Sequence, residues 1–232
     1  MDSLPSTLWS QVLAAGQGAA GALENLATLY LGPVYAHVRA SGRSREDAED
    51  LTQDFFAFLL ESRAIGKADP RRGRFRAFLF TCLSNFLAND ADRRRALKRG
   101  GDRVKLSIDV EGAERVLGLG TDADPQRRFD RHWALDTMSR ALARLKGELA
   151  PAAAEAFALA HDGEPVPHAE IAGRLSMSED AVAQAVHRAR RRLREILVDE
   201  VRATVGEDGD VAEELGELLR ALSASGDAPR GL

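Results

Sequence analysis

The sequence predicts an all-α protein of two small helical domains on a flexible linker, with a helical extension at the C-terminus. Three observations carry this reading. Apolar residues recur at helical spacing through most of the 232 residues. That spacing fails over residues 100–128, where Gly and Asp accumulate. Strand-like alternation is confined to a short piece around residues 104–108. The boundaries that follow are 1–99, 100–130 (the linker), 131–205 and 206–232. Apolar residues make up 44% and charged residues 29%, which suits a globular chain long enough to bury a core.

Taken in order, "ALENLATLYLGPVYAHVRASG" reads as a helix able to bend at Gly32-Pro33. "EDLTQDFFAFLLE" places Leu51, Phe55, Phe58 and Leu59 on one helical face. Glu46, Asp47, Glu49 and Asp50 gather near its start, where the helix dipole favours negative charge. "SRAIGKADPRRG" is a loop. The next helix carries Phe75, Phe78, Leu79, Cys82, Leu83, Phe86 and Leu87 as a wide apolar stripe. Cys82, the only cysteine, has apolar neighbours and reads as a small core residue in a reducing compartment. After the linker, Trp133, Leu135, Met138, Leu142 and Leu145 give a core face, "PAAAEAFALAH" a further helix, and "DGEPVP" a break. In the tail, Val211, Leu215, Leu218, Leu219 and Leu222 are helically spaced opposite acids.

Net charge is −4, but its distribution is uneven. Residues 70–105 hold eleven basic residues against three acidic ones, whereas residues 195–232 hold ten acidic against three basic. A slightly negative chain thus carries a strongly basic middle and an acidic end.

"HAEIAGRLSMSEDAVAQAVHRARRRLREIL" contains two short amphipathic helices joined by "SMS", the helix-turn-helix pattern. Either Ser178 caps the second helix directly or Ser176 and Glu179 form a capping box; both fit the spacing. With Val182, Val186 and Ala189 turned inward, Ser178, Glu179, Ala183, Gln184, His187, Arg188 and Arg191 lie on the face or cap that a major groove would meet. An arginine-rich amphipathic helix alone is commonly a solvated face. The turn and the preceding helix shift the reading to DNA.

Together these segments resemble the extracytoplasmic-function group of bacterial sigma factors, of the sigma-70 family. "DAEDLTQDFFAFLLE" is similar to the helix that docks on the RNA polymerase clamp, "DPRRGRFRAFLFTCLSNFLANDADRRR" to the segment that reads and opens the minus-ten element, and residues 136–198 to the domain that reads the minus-thirty-five element. The resemblance implies polymerase contacts from Asp47, Glu49, Asp50, Gln53 and Asp54. It implies minus-ten contacts from Arg74, Arg76, Phe80, Asn85, Asn89, Arg93, Arg94 and Arg95, with Asn85 near the pocket for a flipped base. The partners it implies are core RNA polymerase, promoter DNA, and either an anti-sigma factor or a Ser/Thr kinase. Thr52 in the clamp helix is then a candidate phosphosite, because phosphate adds charge where charge docks. Two features depart from the group. Ala183 and Ala185 stand where polar or basic residues are common, which predicts a weak or degenerate minus-thirty-five preference. The acidic tail extends past the usual end, and autoinhibition or simple packing would account for it.

The competing assignment is a free-standing helix-turn-helix regulator that never meets polymerase; it leaves the acidic helix without a role. An enzyme is not expected, since no phosphate loop, Glu-x-x-His pair or Ser/His/Asp set is present. His161 and His168, which flank a loop, and His187 lack partners at metal-ligand spacing, so no cofactor is expected. No run of eighteen apolar residues and no signal-peptide pattern at "MDSLPSTLWS" lead to an expectation of a cytoplasmic protein.

Overall fold

A computed structural model describes residues 20–62, 64–68, 74–89, 124–161, 164, 166–205 and 211–223. Its helices are α1 (Ala20–Ala40), α2 (Arg45–Glu61), a 3-10 turn (Ala64–Lys67), α3 (Phe75–Ala88), α4 (Pro125–Glu148), α5 (Pro151–His161), α6 (His168–Leu175), α7 (Glu179–Thr204) and α8 (Val211–Ser223). No strand occurs among the described residues. The piece around residues 104–108 lies outside them.

Local chemistry explains the helix ends. Gly42, at φ +88°, closes α1 in the left-handed region that an L side chain resists. Ser44 and Asp47 then form a reciprocal cap on α2: the Asp47 amide donates to Ser44 Oγ and the Ser44 hydroxyl to Asp47 Oδ2, both at 3.1 Å. α1 runs through Pro33 as one helix. Gly32 earns its place by closeness, because a Cβ there would lie 3.0 Å from Asp136 Oδ1 on α4. α4 begins inside the segment expected to be linker: Asp124 accepts from the Gln126 amide at 2.9 Å, and Pro125 occupies the first turn.

Two apolar clusters result. The larger is continuous across α1, α2, α3, α4, the later half of α7, and α8. Trp133, Tyr30, Tyr35, Phe55, Phe56, Phe75 and Phe129 are its largest fully buried side chains. The smaller cluster joins Ala156 and Ala160 of α5, Ile171 and Ala172 of α6, and Val182 and Val186 of α7. The helical class and the two-part order agree with the sequence. The structure adds that the halves pack on each other, with α4 against α1, α7 and α8. The described part of the tail, α8, is also settled onto the body: Leu218 and Leu222 have no exposed surface. Cys82 is half-buried against the larger core.

His37 of α1 and His132 of α4 lie within this junction, 6% and 8% exposed. The His37 ring meets Phe80 of α3 at 5.3 Å and Phe129 of α4 at 6.0 Å, edge to face. Burial lowers both imidazoles to about 4; the Arg128 charge adds to this at both, and His37 and Arg131 add to it at His132. An unfolded histidine takes up its proton near 6.5, so between that value and about 4 the unfolded chain binds more protons. The stability these two histidines contribute therefore falls as pH drops below 6.5, and the loss is complete near 4. Each histidine contributes up to about 1.4 kcal/mol per pH unit in that window. The urea midpoint is expected to decline from about pH 7 to about pH 5, and His37→Phe is expected to flatten that decline. An unchanged pH profile in the variant would remove His37 as a cause.

Candidate polymerase and nucleic-acid interfaces

The acidic face of α2 has two kinds of carboxylate. Asp47 is engaged in the Ser44 cap and Glu49 accepts from Arg45 at 3.1 Å. Glu46 and Asp50 are exposed, and Gln53 and Asp54 are half-buried along the same helix. Capping and surface presentation thus coexist. Thr52 points the other way: it has no exposed surface, and its hydroxyl has no hydrogen-bond partner. In this arrangement a kinase does not reach Thr52, because a position one turn before Phe55 and Phe56 shares their inward face. Phe56, 2% exposed, was missed by the spacing argument because it lies beside the marked stripe.

On α3 the expected minus-ten residues divide. Asn85 and Asn89 are exposed, and Asn89 Nδ2 donates to the Asn85 carbonyl at 2.8 Å. Phe80 is half-buried, with its ring 5.5 Å from Phe129 of α4, so α4 covers it. Arg93, Arg94 and Arg95 lie outside the described residues.

Arg74 and Arg76 are held by other parts of the chain. Arg74 Nε lies 2.6 Å from Glu214 Oε2 and its Nη2 lies 3.0 Å from Glu213; Nη1 pairs with Glu217. Arg76, 4% exposed, pairs through Nε with Asp130 at 2.7 Å and through Nη2 with Glu217 at 2.9 Å, while Nη1 pairs with Glu214. Its guanidinium carbon stands 4.1 Å from the centre of the Trp133 ring. Burial pushes the Glu214 carboxyl upward, opposed by Arg76 and Arg74. Glu217 moves downward because it accepts a hydrogen bond from Arg74. The same pocket holds the Tyr30 phenol, whose burial raises its pKa well above the usual range.

The helix-turn-helix is built by two serines with different tasks. Ser176 sits at φ 52° and ends α6, and the Met177 amide donates to the Ala172 carbonyl at 3.0 Å. Ser178 caps α7 directly: its Oγ accepts from the Ala181 amide at 3.2 Å. Glu179, Gln184, His187, Arg188 and Arg191 are exposed. Ala183 is half-buried and Ala185 is 4% exposed, so Ala185 belongs to the core side of α7.

The arginines of α7 separate by task. Arg192 grips Glu148 at the end of α4 through Nε at 2.6 Å and Nη2 at 3.1 Å, and it also pairs with Glu195 at 3.0 Å. The Arg192 hydrogen bonds are the main cause holding the Glu148 carboxyl below its usual range. Arg190 donates to His161 Nε2 at 2.9 Å, which fixes that ring as the tautomer donating from Nδ1 to the Phe157 carbonyl at 2.8 Å. Arg188 and Arg191 make only long contacts, 3.4 Å to Gln184 and 3.8 Å to Glu195. Arg188 and Arg191, like the exposed Arg194, are therefore not locked to another helix. Among the described residues no cluster of His, Cys, Asp and Glu suits a metal ion, and no helix is long and apolar enough to cross a membrane.

Comparison with known proteins gives two matches. Residues 26–97 match the family model described as Sigma-70 region 2, and residues 139–193 match that described as Sigma-70, region 4. Together they span just over half of the chain, in the order the sequence led us to expect. No curated protein and no solved structure matches the chain.

The turn gives a paired test. Ser178→Ala is expected to lower stability by about 1 kcal/mol. Ser176→Gly relieves a left-handed residue and is expected to raise stability by about 0.5–1 kcal/mol. Urea unfolding of both variants checks this; equal effects would mean that the two serines are not divided as described.

Proposed function

The chain belongs to the sigma-70 family, in the extracytoplasmic-function group, and we propose how its surfaces share the work of bringing RNA polymerase to promoters. It is a sigma factor: it binds core RNA polymerase and directs initiation of transcription at promoter DNA. The observation that carries this is the pair of matched regions, one containing the acidic α2 and the other the helix-turn-helix. A regulator acting apart from polymerase would leave the first match without a purpose.

In the proposed division, residues 1–99 dock on polymerase and handle the minus-ten element, and residues 131–205 read the upstream element. Asp50 and Glu46, exposed on α2, meet the cationic partner first, with Asp47, Glu49, Gln53 and Asp54 extending the surface. Asn85 and Asn89 face the unpaired strand, with Arg93, Arg94 and Arg95 on its backbone. On α7, Ser178 and Glu179 approach the groove edge, Gln184 addresses a base, and His187, Arg188 and Arg191 address phosphates. Ala185 lies on the core side of α7 and so does not bear on base reading; Ala183, half-buried on the outer side, leaves the start of that helix few base-reading groups, which supports a degenerate upstream preference.

The protein acts without catalysing a reaction of its own, in the cytoplasm. Control by an anti-sigma factor or a Ser/Thr kinase is part of this proposal, and the burial of Thr52 argues against phosphorylation at that position.

Asp50→Arg is expected to abolish capture of core polymerase in a pull-down, while Glu155→Arg, on the exposed side of α5, is expected to retain it. Retained capture by Asp50→Arg would refute the α2 docking surface. Arg188→Ala and Arg191→Ala are each expected to weaken upstream DNA binding across all sequences and to lower the salt slope by about 1. A sharp loss confined to one sequence would show that these residues read bases instead. Binding-site selection is expected to return a short, degenerate upstream motif; a long, sharp one would overturn the role given to Ala183.

A further inference from the structure

α8 brings a carboxylate cluster to the start of α3, from more than a hundred residues away in the sequence. Its two fully buried leucines, Leu218 and Leu222, anchor it in the larger core. On the neighbouring side, Glu214, 2% exposed, and Glu217 reach between Arg74 and Arg76, and Glu213 closes on Arg74 from the outside. Counting side chains, Arg74 and Arg76 with Asp130 alone make a net positive surface. With Glu213, Glu214 and Glu217 in place the same surface is net negative. Docking α8 therefore inverts the sign of the charge at this end of α3.

Ion pairs of this kind are an inefficient way to hold a helix, because desolvating the charges offsets most of their attraction. What the glutamates add is selectivity for two guanidiniums, presenting carboxylate oxygens where phosphate oxygens would otherwise sit. The tether is short, with α7 ending at Thr204 and α8 starting at Val211. The carboxylates are thus held near their targets at an effective concentration on the order of millimolar, which a free polyanion must outcompete. α4 covers the same end of α3 from another direction, with Phe129 on Phe80 and Asp130 on Arg76.

We propose that α8 is an intramolecular acidic plug that occupies Arg74 and Arg76 in the free chain, withholding them from the promoter strand until α8 is displaced. This rests on the reading of Arg74 and Arg76 as promoter-binding residues and adds their regulation.

The test uses the full-length protein and a labelled single-stranded 30-mer of mixed sequence, followed by fluorescence anisotropy. Two variants release the plug by different means: the isosteric double replacement Glu214→Gln with Glu217→Gln, and Leu218→Asp, which expels the anchor. Both are expected to bind the strand at least roughly tenfold more tightly, with a salt slope steeper by about 1.4, as two more phosphate contacts require. Adding Arg74→Gln and Arg76→Gln to either is expected to erase the gain. Should Leu218→Asp lose its helical circular dichroism, the isosteric double variant decides the matter. Affinity within twofold of the parent, or a gain that survives loss of both arginines, overturns the plug. The same preparations are tested for capture of core polymerase. Capture with unchanged strand affinity discards the plug alone, whereas failure of every form to capture polymerase discards the sigma-factor reading.

Discussion

The guanidinium of Arg76 holds together parts of the chain that are far apart in sequence. It lies over Trp133, and its three nitrogens pair with Asp130, Glu214 and Glu217. One buried cation thereby fixes the start of α3 against the first turns of α4 and the inner side of α8. A buried arginine without such partners would be strongly unfavourable, so each of the three elements constrains the other two. The halves matched as separate regions consequently share one core.

Much of the fold was legible because helical periodicity is a local property. The stripes on α2, α3 and α4 supplied core residues such as Phe55, Leu79 and Trp133. The start of α4 was also written in the chain, as an Asp-Pro pair ahead of a periodic run, but low periodicity before it extended the expected linker over its first turn. Spacing identifies an inward face without naming what that face meets. Hence Phe129 and His132 were not expected in the core, and the partner of Phe80 was unknown. Charge totals behaved in the same way. They located a basic middle and an acidic tail, yet the pairing of Arg76 with Glu214 spans 138 positions and no local pattern encodes it.

The candidate surfaces were legible to the extent that they are simple helix faces. Gln184, His187, Arg188 and Arg191 are exposed as the spacing of Val182, Val186 and Ala189 required. The cap was underdetermined, since Ser176 and Ser178 fit equally well until one took a positive φ. The cluster of α7 arginines looked uniform but is not: helix phase sends Arg190 and Arg192 back to α5 and α4 and leaves Arg188 and Arg191 outward. Thr52 was judged by its neighbourhood of acids, whereas helix phase places it on the buried side.

α7 belongs to both apolar clusters, with Val182 and Val186 in the smaller and Ala189 through Val201 in the larger. As a single helix of 26 residues it spans about 39 Å. It behaves like a drive shaft set in two bearings, so the azimuth of its exposed side, with Gln184, His187, Arg188 and Arg191, is dictated by how its far end sits in the body. One residue inserted between the bearings would turn that side by about 100°, although none of its side chains had been altered. The aim of that outer face is thus stored remotely, in the seating of Leu193, Ile196 and Val201.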